Sequence, residues 1–344
     1  MLKYGALDRR SLQDYSCGGV GCSSQGDASV EKCRRSHSRE RDVRRSMTTW
    51  KNYYLASSLS DALEALTTTP GPNRPISGGT DLLLDIQQGR HPQVHTLVDV
   101  SGVQEMNTLE IRQGKLFVGA ALPLNHIISS PLVKEHAQAL FEACSLIGGP
   151  QVRNVATLGG NVGHALPAAD GTIALMALEA QAEIFDETGC HTQPIENLFA
   201  GPGRSSLSSK QFLVGFHLPL RPPHQGSAFR RVMRPQGVAI AILNMATWVE
   251  MRGDTISKVR LSIGPAGPTP HRARAAEEAL RGHKFTRQSL TRALEALLAE
   301  ARFRTSPHRA TAEYRRHLAG VLLEETLSVA CQRASDPATL NPAE

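Results

Sequence analysis

From Trp50 onward the apolar positions of the chain switch repeatedly between two periods. Leu59, Ala62, Leu63 and Leu66 recur at three and four, which predicts a short helix running to about Thr68 with Ser58 or Ser60 as its cap; Pro70-Gly71-Pro72 ends it. Pro75-Ile76 reads as a short strand that passes through Ser77-Gly78-Gly79-Thr80-Asp81 into a helix start at Leu82-Leu83-Leu84. His95-Thr96-Leu97-Val98-Asp99-Val100 reads as a second, buried strand. Residues 109–112 and 115–119 alternate about Gln113-Gly114, the pattern of a β-hairpin. Helical stretches follow at 124–129 and 131–147, the second carrying Leu132, Val133, Ala137, Leu140, Phe141 and Cys144 before Gly148-Gly149-Pro150 stops it.

Residues 151–170 have no sustained period and read as a long loop into a helix over 171–180. A hairpin over 182–185 and 190–195, turning at Glu187-Thr188-Gly189, precedes a strand over 212–218. Pro222-Pro223-His224-Gln225-Gly226 is a linker in composition. Beyond it lie three strand-like runs (228–233, 239–250, 258–264) and three helices (272–281, 287–302, 311–330). The chain is therefore mixed α and β with a break near 222–227, and it has no internal repeat.

Length and charge change this picture in one respect. The 344 residues allow one large domain or two ordinary ones, and the net charge of +6 raises a polyanion as a partner. Residues 1–46 hold ten Lys/Arg and six acids, a net of +4, so the remaining 298 residues carry only +2. That segment lacks apolar periodicity and reads as a disordered basic extension; translation from Met47 is the competing reading. No apolar h-region marks it as a secretory signal, and its six acids argue against a transit peptide. A nearly neutral folded part disfavours nucleic acid, and the absence of an 18-residue apolar window argues against a membrane span. Six cysteines are too few for a disulfide scaffold. Cys17 and Cys22 have the spacing that opens a plant-type [2Fe–2S] loop, but Gln25 stands where the third ligand belongs. Cys33 completes the tail's three, read as free thiols, and Cys144, Cys190 and Cys331 read as isolated packing residues.

The candidate chemistry lies in two glycine pairs. Ser77-Gly78-Gly79-Thr80-Asp81 directly follows a strand, and Ala156-Thr157-Leu158-Gly159-Gly160-Asn161 precedes a helix. Paired glycines allow close backbone approach, and successive N–H groups in such turns form anion-binding concavities. Taken singly, each pair is a weak signal, because a Gly-Gly turn is more often only a turn. Neither is a G-x-G-x-x-G fingerprint or a P-loop. Asp170 offers a carboxylate for hydroxyl groups, a helix N-cap, or both.

Taken together, Ser77-Gly-Gly-Thr-Asp-Leu-Leu83 and Ala156-Thr-Leu-Gly-Gly-Asn161 with Pro167-Ala-Ala-Asp170 resemble the FAD-binding (medium) subunit of the molybdenum hydroxylases, the xanthine dehydrogenase and carbon monoxide dehydrogenase flavoprotein family. Gly201-Pro-Gly-Arg204, the segment 212–219, Ser227-Ala-Phe-Arg-Arg-Val232, Ile263-Gly-Pro-Ala-Gly-Pro268 and Glu313-Tyr-Arg-Arg-His-Leu318 extend the resemblance in order over roughly 47–333.

The resemblance implies an α+β fold. A two-lobe FAD-binding domain of the vanillyl-alcohol-oxidase-like (PCMH) type would span 47–222. A C-terminal domain with a three-stranded antiparallel sheet and a helix bundle would span 226–333, and 334–344 would form a tail. It implies non-covalent FAD, with Ile76, Ser77, Gly78, Gly79, Thr80, Asp81 and Leu82 around the pyrophosphate and Thr157, Gly159, Gly160 and Asn161 facing it. Asp170 would bind sugar or ribityl hydroxyls, Leu213 would pack near the flavin, and Arg230 would supply a cation beside the cofactor. No residue here would act as a catalytic acid or base or bind metal, because the flavin carries the chemistry. Molybdopterin and [2Fe–2S] clusters would reside on a large and a small partner subunit of a cytoplasmic heterotrimer. Electrons would pass through FAD to NAD+, a quinone or O2. A stand-alone FAD oxidoreductase of the same fold class and a non-catalytic assembly protein are the alternatives.

Overall fold

Strand β3 (Thr96–Asp99) is buried at every position and sits at the centre of a parallel three-stranded sheet, between β1 (Asn52–Leu55) and β2 (Asn73–Ile76). In the computed structural model the described residues are 50–234, 240–307 and 309–336; the basic extension, its three cysteines and the tail beyond 336 fall outside them. The helix Leu59–Thr68 covers the sheet, and Ser58 caps it by accepting from Asp61 N at 3.1 Å. Ile76 leads through the first glycine loop into the helix Leu82–Gln87.

The second lobe is built on a five-stranded antiparallel sheet. Its strands are β4 (Leu109–Arg112), β5 (Lys115–Gly119), β6 (Gln181–Asp186), β7 (Gly189–Pro194) and β10 (Phe212–Pro219), ordered β4-β5-β10-β6-β7. The β4–β5 turn falls at Gln113-Gly114, both in the left-handed region as a tight hairpin requires. Between β7 and β10 a small hairpin pairs β8 (Phe199–Gly201) with β9 (Arg204–Ser205). Helices pack on the inner face of the sheet, and the core runs through Phe117, Leu124, Leu140, Ile173 and Phe216.

Two local expectations change here. The predicted helix over 131–147 is two helices, Pro131–His136 and Gln138–Leu146, separated at Ala137. The helical ladder is interrupted there because Ala139 N–H donates to Ser227 Oγ at 3.1 Å. The expected loop over 151–170 contains two short helices, Pro150–Arg153 and Leu158–Gly163, the second capped by Thr157. Cys144 and Cys331 are buried as packing residues, whereas Cys190, at the start of β7, is exposed.

The C-terminal sheet has a fourth, very short strand beyond the three expected. Strands β11 (Gln225–Val232), β12 (Leu243–Arg252) and β13 (Thr255–Gly264) pair antiparallel, and β14 (His271–Arg272) adds to β13. Helices Arg274–Leu280, Arg287–Glu300 and Ala312–Ser335 cover it. The last lies close on β11, where a β-carbon at Gly226 would meet Ala330 O at 2.2 Å. The described residues form one compact unit. Four carboxylates of the second lobe bind the C-terminal part: Glu142 to Arg230 and Arg333, Asp170 to Arg231, Glu179 to Arg260 and Arg272, and Glu196 to Arg274. No helix among the described residues is long and apolar enough to cross a membrane.

Candidate cofactor site

The two glycine loops face each other across a cavity of about 850 Å³, within the range of roughly 300–1,000 Å³ typical of cofactor sites. It lies between the parallel-sheet lobe and the antiparallel-sheet lobe, and Arg231 of β11 with Ile240 and Ala241, just before β12, also line it. Of the fourteen residues proposed from sequence, thirteen line it: Ile76 to Leu82, Thr157, Gly159, Gly160, Asn161, Asp170 and Leu213. Arg230 does not. Its guanidinium turns away to Glu142 Oε1 (3.0 Å) and Phe229 O (2.8 Å). Its neighbour Arg231, on the opposite face of the alternating strand, points into the cavity.

The loops have different donor accounts. Among the described residues the backbone N–H groups of Ser77, Gly78, Gly79, Thr80, Asp81 and Leu82 make no hydrogen bond, so a run of donors remains open along the first loop. Ser77 Oγ is buried and likewise has no partner. A buried hydroxyl is rarely left in that condition, and Ser77 lies on the cavity wall together with the open donors. In the second loop the donors of the glycine pair and of Asn161 are taken: Gly159 N donates to Ala120 O (2.9 Å), Gly160 N to Thr157 Oγ1 (3.1 Å) and Asn161 N to Thr157 O (3.0 Å). The longer run of open donors therefore lies on the first loop, the part better equipped to hold an anion.

Glycine is required where the walls meet. A β-carbon on Gly78 would collide with the Val155 carbonyl, and Gly79 has φ +67°, which suits glycine.

Asp170 is buried at the cavity's other end. Its Oδ1 accepts from Asn244 Nδ2 at 2.6 Å and its Oδ2 accepts from Arg231. Burial pushes the Asp170 carboxyl above its ordinary value, and the Arg231 charge and the Asn244 amide offset that only in part. Arg231 also donates to Leu146 O, while its Nε is buried and unpartnered. Asn161 Oδ1 accepts from Thr172 N at 3.3 Å, tying the second loop to the start of the helix Asp170–Ala177.

Several lining residues were not proposed from sequence. Arg231 was missed by one position. Gly203, Arg204, Ser205 and Leu207, from the β8–β9 hairpin and the turn after it, line the cavity as well; their Gly-Pro-Gly-Arg-Ser-Ser-Leu motif was the available signal.

Open backbone donors, an orphaned hydroxyl and glycine-tight walls between two lobes suit the phosphates of an extended nucleotide cofactor, and define a cofactor-binding protein of that class. Comparison with known proteins makes this specific. Residues 45–221 match the FAD binding domain in molybdopterin dehydrogenase, and residues 227–330 match the CO dehydrogenase flavoprotein C-terminal domain. The chain is 31% identical over 290 residues to the xanthine dehydrogenase FAD-binding subunit of Escherichia coli O157:H7, covering 84% of this chain and 98% of that one. It is 27% identical over 283 residues to the carbon monoxide dehydrogenase medium chain of Hydrogenophaga pseudoflava, covering 82% and 98%. A solved structure of carbon monoxide dehydrogenase from the same organism, lacking the Mo-pyranopterin moiety of its molybdenum cofactor, superposes with a TM-score of 0.78 over 82% of this chain and 98% of that chain, at 27% identity. The chain belongs to the family of FAD-binding subunits of molybdopterin-dependent dehydrogenases.

Proposed function

We propose that this chain is the FAD-carrying, electron-transfer subunit of a molybdenum-containing hydroxylase, assembled in the cytoplasm with a large molybdopterin subunit and a small [2Fe–2S] subunit. The observation that carries this reading is the open run of N–H groups from Ser77 to Leu82, facing a second loop whose Gly159, Gly160 and Asn161 donors are taken. Those donors and Ser77 Oγ would hold the pyrophosphate, with Thr157, Gly159, Gly160 and Asn161 forming the opposing wall. Leu213 and Arg231 line the same cavity and supply an apolar surface and a cation. FAD held there would supply redox chemistry able to accept electrons from iron–sulfur clusters and pass them on to NAD+, a quinone or O2. Asp170 orients Arg231 and fixes its charge at the cavity wall. Relatives described as a medium chain or an FAD-binding subunit support the partner assignment.

The test is direct. The purified full-length chain is reconstituted with FAD and its visible spectrum recorded, then co-expressed with candidate molybdenum and iron–sulfur subunits. A flavin spectrum and a stable three-subunit complex are expected. A chain that takes up no flavin would falsify the cofactor assignment, and one that binds flavin without either partner would remove the electron-transfer role.

A further inference from the structure

One polar bridge across the cavity has no part in the phosphate-binding account. His164 ends the helix Leu158–Gly163, on the second-loop wall, and its Nε2 lies 3.0 Å from Asp85 Oδ2, on the helix that follows the first loop. His164 Nδ1 faces Asp81 Oδ1 at 3.9 Å, and Arg90 holds the other oxygen of Asp85 at 2.7 Å. Among the described residues this is the only side-chain hydrogen bond joining the segment 77–91 to the opposite wall. It is partly shielded, with the two side chains 28% and 22% exposed.

The charges in the cavity give the bridge a purpose. Arg74, Arg204 and Arg231 are balanced by Asp81, Asp85 and Asp170, so the cleft has no fixed positive excess with which to retain a pyrophosphate. Retention must come from backbone donors held at the right spacing, and that spacing depends on how firmly the two walls are joined. The walls meet by backbone contact at Gly78 and Val155, and His164 with Asp85 is the directional bond between them. The bond also occupies a carboxylate that would otherwise face an incoming phosphate.

We propose that the His164–Asp85 hydrogen bond is a latch across the cofactor cleft that sets how slowly FAD leaves. His164 is a positioning residue, and the inference rests on the FAD assignment above. One partly shielded, charge-assisted hydrogen bond corresponds to an expected acceleration of about five- to tenfold in FAD release when it is lost.

The experiment uses the full-length chain loaded with FAD and follows release by the recovery of free-flavin fluorescence. H164A and D85A are each expected to release FAD about five- to tenfold faster. The double variant should be no faster than either single one. H164Q, which restores an Nε2–H donor towards Asp85, should return the rate to within about twofold of wild type. A cooperative melt of each variant confirms that it is folded. Wild-type release from H164A, or effects that multiply in the double variant, overturns the latch. Multiplying effects would mean that His164 touches the cofactor independently of Asp85. A wild-type chain that takes up no FAD overturns both the cofactor assignment and the latch.

Discussion

A β-carbon on Gly78 would lie 2.0 Å from the carbonyl oxygen of Val155. The contact is backbone to backbone, so no change of rotamer relieves it, and any side chain at 78 must separate the two walls of the cofactor cavity. Gly78→Ala is therefore expected to lower stability by about 1–3 kcal/mol and to lose bound flavin. Gly163, also on the cavity, has nothing within 4 Å of its β-carbon position, so Gly163→Ala is expected to keep wild-type stability. Flavin absorbance per chain and urea melts measure both, and a Gly78→Ala protein with full flavin would show that the walls can part without cost.

Arg230 and Arg231 separate a surface cation from a cavity cation. Arg231 and Asp170 are each only 6% exposed as side chains. Arg231→Ala leaves a buried carboxylate whose remaining side-chain partner among the described residues is Asn244, with an expected loss of about 3–5 kcal/mol and weakened FAD binding. Arg230 is 36% exposed where it meets Glu142, and Arg230→Ala should cost about 0–1 kcal/mol with FAD affinity unchanged. Titration of apoprotein with FAD decides it; equal loss of affinity in the two variants would contradict the assignment.

The misplacement of that cation by one residue marks where sequence reading ends. Both glycine loops and their order were legible because Gly-Gly next to Thr, Asp or Asn is a local signal. The face of β11 that meets the cavity is not local: it is fixed by pairing with β12 and by the Asp170 contact, and one position reverses it. The helix Leu158–Gly163 was hidden because three of its six residues are glycine, a poor helix former. Thr157, accepting from Gly160 N, and the packing of Gly159 on Ala120 form it regardless. The division of 131–147 at Ala137 was likewise invisible, since the interrupting acceptor, Ser227, is 88 residues from Ala139.

Substitution at Asn161 separates its observed contact with Thr172 from the cofactor contact proposed for it. Its Oδ1 accepts from Thr172 N, so Asn161→Ala should destabilise the start of the helix Asp170–Ala177 by about 1 kcal/mol and lower FAD occupancy. Asn161→Asp keeps the acceptor and adds a negative charge beside the cofactor's phosphates. It should melt close to wild type yet bind FAD more weakly. Calorimetry with and without FAD reads the two effects independently, and equal FAD affinity in Asn161→Asp and wild type would place Asn161 in a purely structural role.

Glu142 makes the junction between the FAD-binding and C-terminal parts sensitive to acid. Burial alone would raise its carboxyl, but hydrogen bonds from Arg333, Phe229 N–H and Arg230 outweigh it and hold the group below its ordinary value of 4.5. The Phe229 N–H donates at 2.7 Å, Arg333 at 2.7 Å and Arg230 at 3.0 Å, so one side chain on the helix Gln138–Leu146 gathers strand β11 and the helix Ala312–Ser335. A depressed folded-state value means that the unfolded chain binds the proton more readily. The stability Glu142 contributes is complete above about pH 4.5 and is lost as pH falls through the lower folded value. Glu142→Gln, which keeps the shape and removes the charge, should cost about 2 kcal/mol at pH 7. The gap from wild type should narrow steadily below pH 4.5. Urea unfolding of both proteins across that range measures it, and a gap that stays constant into acid would mean that the charge of Glu142 does not hold the junction.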